Sequence, residues 1–418
     1  MGSREQDAEE TWTRVSPYLR RAGITRVADI TGLDVVGIPV FNAVRPRSAD
    51  GLSVYSGKGA SAVAARTSAV MEAIERFAAS APLRVDRVAS YRELVGAGQA
   101  VIAPRSHSLR LSARYHDDAP IPWVAGHDLL NDEPVLVPHG AAAFVGSHVE
   151  PSCYTLTTSN GLAAGRTMEQ AAGHALCELI ERDAVTVCEI ESVHLGAEFP
   201  RARDALRSRH PHLDVASLPS RADALAARFR AAEISLRMVD ITTDLGVPSI
   251  LCTALDDFGL AAGQQSHVGF GTHPDAEIAL VRALTECAQS RAIDIQAVRE
   301  DLSAPGDSVP AFLSHTQRSI SFDRAGWAWQ PTDVVIAASE LASVRNADDA
   351  ADLRFVLSQL RRCGLSRAII VDLSPPDLPV VVVRAIVPGL ESWGLDRSRL
   401  GRRAAAAWND ARDRLRAA

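Results

Sequence analysis

Short apolar runs alternate with longer periodic segments along this chain, which predicts a mixed fold of strands and helices. Residues 234–240 alternate in polarity, as in a strand with one solvent-facing side, whereas 248–255 are almost all apolar, as in a central strand. Paired strands are predicted on either side of the turn at Asn131 and Asp132. Further strands are predicted at 24–40, 368–373 and 380–387, and helices at 1–24, 220–232, 351–362 and 400–418. The pattern favours an α/β (α+β) fold with antiparallel-rich sheets.

Three further predicted helices carry a polar stripe on a largely apolar surface. Ser68, Glu72 and Glu75 stand at i, i+4 and i+7, so their side chains fall within roughly 60° of one another on a helix. The same spacing returns at His174, Glu178 and Glu181, and again at Arg282, Glu286 and Gln289. Glycines precede each helix, at 57 and 59, at 161 and 165, and at 269 and 271. The chain is therefore predicted to repeat one unit of strand, glycine loop and helix.

The carboxylates of these stripes are the candidate chemistry. One stripe alone is typical of the solvent face of an amphipathic helix. Three stripes with one spacing favour a shared site, because buried carboxylates repel one another unless cations neutralise them. Mg²⁺ takes oxygen ligands and is usually bound together with phosphates. Glycine-rich segments and arginines suit those phosphates, and the candidate arginines are Arg76, Arg182 and Arg282. The residues therefore predict a site for a magnesium-bound nucleotide.

The ordered motifs resemble the YcaO family of ATP-dependent enzymes that modify peptide backbones, over roughly residues 50–300. The resemblance implies a YcaO-type fold, with the repeated units around a central nucleotide cleft, and ATP and Mg²⁺ as cofactors. It implies metal binding by Glu72, Glu178 and Glu286, with Glu75 and Glu181 at a second cation or around the first. It implies nucleotide binding by Arg4, Thr11, Ser68, Glu72, Glu75, Gly161, Ala163, Ala164, Gly165, Arg166, Arg182 and Arg282. No catalytic residue is assigned.

Residues 24–47 resemble the opening of the YcaO subgroup associated with TfuA proteins, which is linked to thioamide formation. The resemblance implies a peptide or protein substrate, a sulfur donor, a TfuA-like partner protein and a homodimer. The motifs would bind ATP and do not identify the nucleophile that attacks the amide. Formation of an azoline or an amidine therefore stays open, as does a role as a non-catalytic ATP-binding scaffold. The chain ends without the proline-rich tail of some azoline-forming members, which weakens the azoline alternative.

Composition narrows the function further. The formal net charge of −7 argues against general nucleic-acid binding. No apolar run is long enough to span a bilayer, and the N-terminus lacks an apolar signal core, so a cytoplasmic protein is expected. The six cysteines show no metal-site or disulfide spacing. Lys58 is the only lysine in a chain that otherwise uses arginine, which suggests that its position needs a compact ammonium group.

Three parts of one YcaO domain are expected. Residues 1–50 form an N-terminal helix and strand segment, 51–300 form the ATP- and Mg²⁺-binding core with the three acidic helices, and 301–418 complete the domain. The polar, proline-containing segment 301–335 is predicted to be a long surface excursion.

Overall fold

The computed structural model describes residues 3–106, 114–144, 158–195, 209–255, 266–297, 326–329, 332–392 and 401–417. Most of the excursion predicted at 301–335 lies outside these residues. The helices are α1 Ser3–Val15, α2 Ala62–Ala79, α3 Tyr91–Gly96, α4 His139–Ala142, α5 Met168–Glu189, α6 Ser220–Ala231, α7 Ala276–Ala297, α8 Asp349–Arg362 and α9 Arg402–Ala417. The strands are β1 Arg26–Asp29, β2 Val40–Val44, β3 Val54–Lys58, β4 Arg87–Ser90, β5 Pro120–Asp128, β6 Glu133–Pro138, β7 Leu162–Gly165, β8 His212–Asp214, β9 Ser235–Asp240, β10 Ser249–Leu255, β11 Ser266–Thr272, β12 Val335–Ala337, β13 Ile369–Asp372 and β14 Val381–Ile386.

Within these residues the strands form three sheets. The first has the order β1-β2-β3, the second β11-β10-β9-β8-β12, and the third β4-β5-β13-β14-β7 with β6 paired to β5. The described pairs are antiparallel except for β8 with β12. The predicted central strand β10 lies between β9 and β11, and the strands around the turn at Asn131 and Asp132 pair as β5 and β6. The α+β fold predicted from the sequence is confirmed.

Each sheet is covered by one of the helices that carry an acidic stripe. Helix α2 buries Val70 and Ile74 against the first sheet, together with Val15 of α1. Helix α5 packs with α8 on the third sheet, and α7 packs with α6 on the second. The buried apolar residues stand between the acidic positions of each stripe, so packing the apolar side fixes the direction of the carboxylates.

The predicted repeat of strand followed by helix is present as β3–α2, β7–α5 and β11–α7. Its glycines, however, lie mostly in the strands and not in loops. A Cβ added to Gly57 would lie 1.9 Å from the backbone nitrogen of Ala69, and one added to Gly269 would lie 2.2 Å from that of Cys287. These glycines let the following helix pack directly on the strand backbone.

The N-terminal helix docks on the first acidic helix. Thr67 of α2 donates its hydroxyl to the carbonyl oxygen of Ala8, and the Arg66 guanidinium lies 3.7 Å from the centre of the Trp12 ring. No helix of the described residues is both long and apolar enough to cross a membrane.

Candidate functional site

Helix α2 presents two carboxylates beside one arginine. Arg76 lies 3.6 Å from Glu72, measured from Nη2 to Oε1, and 3.7 Å from Glu75, measured from Nε to Oε1. These distances are longer than a normal hydrogen bond, so the charges attract without a fixed bond. The side chain of Glu75 is 14% exposed and that of Glu72 38%, so both are partly accessible to solvent.

Helix α5 repeats this arrangement. Arg182 Nη2 lies 3.8 Å from Oε1 of Glu178, again beyond hydrogen-bond distance. The other Glu178 oxygen accepts the backbone N–H of Gly161 at 3.3 Å. Gly161 has a φ of +79°, and a Cβ there would lie 2.5 Å from the carbonyl oxygen of Ala385. Only glycine therefore allows this turn to approach the carboxylate.

Helix α7 supplies the third stripe. Glu286 pairs with the ammonium group of Lys58, which ends β3 in the first sheet, and it also accepts the backbone N–H of Phe270 at 3.3 Å. Gln289, one turn further along the stripe, donates to the carbonyl oxygen of Ser56. The stripe of α7 thus faces the strand that leads into α2.

The three stripes meet at one cleft. Burial raises the pKa of Glu75 to about 8, and the charge of Glu178 contributes to the rise. Burial also raises the pKa of Glu72, with a contribution from Glu286. Burial raises the pKa of Glu181 to about 7, again with a contribution from Glu286. Each of these pairs joins two different helices. The predicted convergence of the carboxylates from distant parts of the sequence is therefore what the structure has.

Arg384 is a member of this cluster that the sequence reasoning missed. It is buried in β14, and burial lowers its pKa to about 10 while Glu178 opposes the fall. Its guanidinium donates to the carbonyl oxygens of Thr158 and Asn160, and so supports the turn that leads to the cleft. A single arginine inside the apolar run Val381–Ile386 was the signal that could have found it.

The cleft fits a metal-bound polyanion better than a bare metal ion. Among the described residues no three His, Cys, Asp or Glu side chains already lie close enough to hold a metal. The Nε atoms of Arg76 and Arg182 are buried and have no hydrogen-bond partner in the described part of the chain. Buried donors without partners are costly. Acceptors such as phosphate oxygens would satisfy these donors, and cations would relieve the raised pKa values of the carboxylates.

The other predicted nucleotide residues lie on several different elements. Ser68 is half-buried on the stripe of α2, and Ala163, Ala164 and Gly165 lie in β7. Arg4 lies in α1, with its side chain outside the described part, and Thr11 donates its hydroxyl to the backbone carbonyl oxygen of Asp7 in the same helix. Two arginines already have partners: Arg166 binds Asp7 and Glu10, and Arg282 donates to the carbonyl oxygen of Thr272.

The raised pKa of Glu75 predicts how the stability of the protein depends on pH when nucleotide and Mg²⁺ are absent. The folded protein keeps this proton until about pH 8, whereas the unfolded chain loses it near 4.5. The folded state therefore binds more protons in that window, and stability is lost as the pH rises. Between about pH 5.5 and 8, Glu75 is expected to lower the free energy of unfolding of the wild type by roughly 3 kcal/mol. The free energy of unfolding, measured with urea at several pH values, is expected to fall less steeply with rising pH in Glu75→Gln than in wild type.

Glu169→Gln is the control, because Glu169 is an exposed carboxylate in the first turn of α5. This variant is expected to follow the wild-type pH dependence. If the free energy of unfolding fell equally with pH in wild type and Glu75→Gln, the raised pKa of Glu75 would be contradicted.

Comparison with known proteins decides the family. A family described as YcaO cyclodehydratase, ATP- and Mg²⁺-binding, matches residues 56–391. The chain belongs to the YcaO family. The predicted family and the cofactors ATP and Mg²⁺ are thereby confirmed at the level of the family. The carboxylate cleft described above lies entirely within the matched region.

Two relatives show how far the similarity extends. The YcaO chain is 35% identical to an uncharacterized protein of Methanothermobacter thermautotrophicus, over 94% of this chain and 96% of the relative. It is 34% identical to an uncharacterized protein in the tfuA 3′ region of Rhizobium leguminosarum bv. trifolii, over 91% of this chain and 87% of the relative. The second relative supports the resemblance to the TfuA-associated subgroup.

Solved structures confirm the YcaO-type fold. The YcaO of Methanopyrus kandleri, solved with AMPPCP and Mg²⁺, has a TM-score of 0.66 and 26% identity and covers 94% of each chain. A heterocyclase in complex with substrate and cofactor has a TM-score of 0.76 and 21% identity over 97% of this chain. The present chain spans about half of that heterocyclase, 55% of its length. At this identity the heterocyclase shows the fold alone.

Proposed function

We propose that this chain uses ATP and Mg²⁺ to phosphorylate the oxygen of a peptide backbone amide, and that the product is a thioamide in a ribosomal peptide or protein. The convergence of five carboxylates from three helices on one cleft carries the proposal. Such a cluster costs free energy in the bare protein, because it places like charges together in a poorly hydrated space. A ligand that brings cations removes this cost, which is the behaviour expected of a magnesium–nucleotide site.

The proposed roles follow from the position of each side chain. Glu72, Glu178 and Glu286, one from each helix, would hold Mg²⁺, which neutralises phosphate charge when bound. Glu75 and Glu181 would bind a second cation or orient the ligands of the first. The phosphates would take the unpartnered donors of Arg76 and Arg182. The remaining predicted nucleotide contacts, at Arg4, Thr11, Ser68, 161–166 and Arg282, belong to the same proposal.

The amide oxygen is a poor leaving group, and phosphorylation is what makes it leave. In the proposed reaction hydrosulfide adds to the amide carbon, and the resulting oxyanion takes the γ-phosphoryl group while ADP departs. Loss of inorganic phosphate and of the sulfur-bound proton then leaves the C=S bond. The protein positions the two substrates and neutralises the transferring phosphoryl group, so no covalent nucleophile is required of the chain.

The similarity of this chain to one relative favours a thioamide over the other products. The chain is 34% identical to a protein in a tfuA 3′ region, over nearly the whole of both chains. This supports a TfuA-like partner for the present chain as well. Such a partner, the sulfur donor, the peptide substrate and a homodimeric state are all parts of the proposal. The expected division into 1–50, 51–300 and 301–418 within one domain also remains a proposal.

The test is a reaction of the full chain with a candidate peptide, ATP, Mg²⁺, sulfide and a co-purified TfuA-like protein. ADP and phosphate are expected to form only when the peptide is present. Mass spectrometry is expected to show a peptide gaining the mass difference between sulfur and oxygen. A parallel reaction with Glu178→Gln is expected to give neither phosphate nor modified peptide, because that variant lacks the metal ligand of α5.

The alternatives have other signatures. Loss of one water would replace the thioamide by the product of an internal nucleophile, either an azoline from Cys, Ser or Thr or an amidine from an amine. ATP binding without phosphate release, for every peptide and partner tried, would replace the enzyme by a scaffold.

A further inference from the structure

Lys58 is held at the edge of the carboxylate cleft by the packing of its own strand. Gly57 and Gly59, on either side of it, lie so close to the backbone of α2 that neither position has room for a Cβ. Side chains alternate along a strand, so Lys58 points to the side opposite Gly57. The carbonyl oxygen of Ser56, on that same side, accepts a hydrogen bond from Gln289 of α7. The stem of Lys58 therefore starts beside the acidic stripe of α7.

The charge of Lys58 reaches carboxylates on all three acidic helices. Its ammonium group pairs with Glu286 of α7. Burial raises the pKa of Glu72 on α2, and the charges of Arg76 and Lys58 oppose the rise. Burial also raises the pKa of Glu181 on α5 to about 7, and Lys58 is among the charges that oppose this rise. The ammonium group therefore lies among the carboxylates that would surround a bound cation.

The chemistry of a lysine side chain fits this place. The arginines of the cleft, Arg76 and Arg182, lie 3.6–3.8 Å from carboxylates of their own helices. Lys58 instead pairs with a carboxylate of a different unit, and the two side chains of this pair are 28% and 25% exposed. An ammonium group is a compact charge on a flexible four-carbon stem. It can therefore leave Glu286 while the strand and the helices keep their positions.

We propose that Lys58 is the built-in cation of the cleft: its ammonium group neutralises the carboxylates in the nucleotide-free protein and competes with a divalent metal ion for Glu286. A metal ion that arrives alone must displace this charge and meets its repulsion. A metal ion that arrives with a nucleotide brings phosphate oxygens, and these accept hydrogen bonds from the displaced ammonium group. Lys58 thereby makes metal binding depend on the nucleotide. This inference rests on the proposed function, because it takes Glu286 as a metal ligand.

Binding of Mn²⁺ alone to the full chain, measured by electron paramagnetic resonance of the free ion, tests the competition. Lys58→Met keeps the stem and removes the charge, and it is expected to bind Mn²⁺ at least about tenfold more tightly than wild type. Lys58→Arg keeps the charge and is expected to bind as weakly as wild type. Arg92→Gln, which removes an exposed cation from α3, is expected to change nothing. Equal or weaker Mn²⁺ binding in Lys58→Met would overturn the inference.

The stability of the metal-free protein is a second measurement. Lys58→Met leaves the carboxylates without their cation, so it is expected to unfold at a lower urea concentration than wild type. Saturating Mn²⁺ is expected to raise the urea midpoint of Lys58→Met by more than it raises that of wild type, because the variant binds the ion more tightly. A midpoint that Mn²⁺ raises equally in both proteins would indicate a purely structural lysine and would also overturn the inference.

The link to the nucleotide has its own readout. Calorimetry gives the affinity for a non-hydrolysable ATP analogue with and without Mg²⁺, and the gain from Mg²⁺ is expected to be at least about fivefold smaller in Lys58→Met than in wild type. An equal gain would show that the ammonium group does not pass to the phosphates, against the inference.

Glu178→Gln separates this inference from the proposed function. If Glu178→Gln loses the magnesium–nucleotide analogue while Lys58→Met binds Mn²⁺ as wild type does, the metal site stands and the role of Lys58 is wrong. If Glu178→Gln binds the analogue with wild-type affinity, the proposed metal site is wrong, and the inference that depends on it is wrong as well.

Discussion

Glu72→Ala and Glu178→Gln are each expected to lower the affinity for a non-hydrolysable magnesium–ATP analogue by at least about 100-fold. The two carboxylates stand on different helices, and each lies beside an arginine at 3.6–3.8 Å without a fixed hydrogen bond. Removing one of them removes a metal ligand and leaves phosphate contacts without their bridging cation. Isothermal calorimetry with saturating Mg²⁺ measures the loss.

The same variants are expected to be no less stable than wild type when nucleotide and Mg²⁺ are absent. Burial raises the pKa of both carboxylates, which means that the bare protein does not favour their charged forms. Lost binding together with retained stability would separate a functional site from a structural ion cluster. Glu169→Gln, an exposed carboxylate of α5, is the matched control and is expected to bind the analogue as wild type does.

Lys58 provides an independent readout of the same event. Because it is the only lysine, reductive methylation with ¹³C labels the amino terminus and this one side chain. Its ammonium pairs with Glu286, which is a proposed metal ligand. Addition of the magnesium–nucleotide analogue is expected to move the Lys58 signal in wild type and not in Glu178→Gln. Unchanged affinity in both carboxylate variants, with a Lys58 signal that moves in all proteins, would rule out the metal assignment.

The acidic helices were predictable because the information is local. The i, i+4, i+7 spacing fixes which side chains share a face, whatever the helix packs against. The apolar residues between them predict which face is buried, and α2, α5 and α7 follow that pattern. The sequence does not encode that the three stripes meet. That they do could be proposed only because several carboxylates on apolar helices need a shared cation to neutralise them.

Two cations of the cleft, Arg384 and Lys58, could not be placed there in the same way. Arg384 reaches the cluster through the pairing of β14 with β7, and Lys58 reaches Glu286 from another sheet. Arg166 depends on distant packing in the same way, because α1 supplies Asp7 and Glu10 as its partners. Such pairings depend on how distant elements pack, which spacing along the chain does not encode.

The glycines were located correctly and interpreted only in part. Their spacing suggested loops that bind phosphate, but Gly57, Gly269 and Gly271 lie in strands with the backbone of the next helix against them. Gly161 does lie in a turn with a positive φ, and its N–H donates to the carboxylate of Glu178. A glycine before a helix has both uses, and the sequence does not distinguish close packing from an exposed turn.

Gly57→Ala and Gly269→Ala are expected to lower the free energy of unfolding by roughly 3 kcal/mol or more, or to prevent folding. The added Cβ would lie 2.4 Å from the carbonyl oxygen of Ala65 in the first case and of Ala283 in the second. Backbone atoms of a packed helix cannot rotate away as a flexible side chain can, so α2 or α7 must move off its sheet. Urea unfolding measures the loss.

A graded series keeps this prediction testable even if the two severe variants do not fold. Gly165→Ala is expected to be intermediate, because its Cβ would lie 2.7 Å from the nitrogen of Ala171. Gly96→Ala, with nothing within 4 Å, is expected to be close to wild type. Helix α5 carries Glu178, so Gly165→Ala is also expected to weaken the magnesium–nucleotide analogue while Gly96→Ala is not. Wild-type stability in Gly57→Ala would mean that the strand and helix are not in direct contact, and the carboxylates would then lose the support that places them in one cleft.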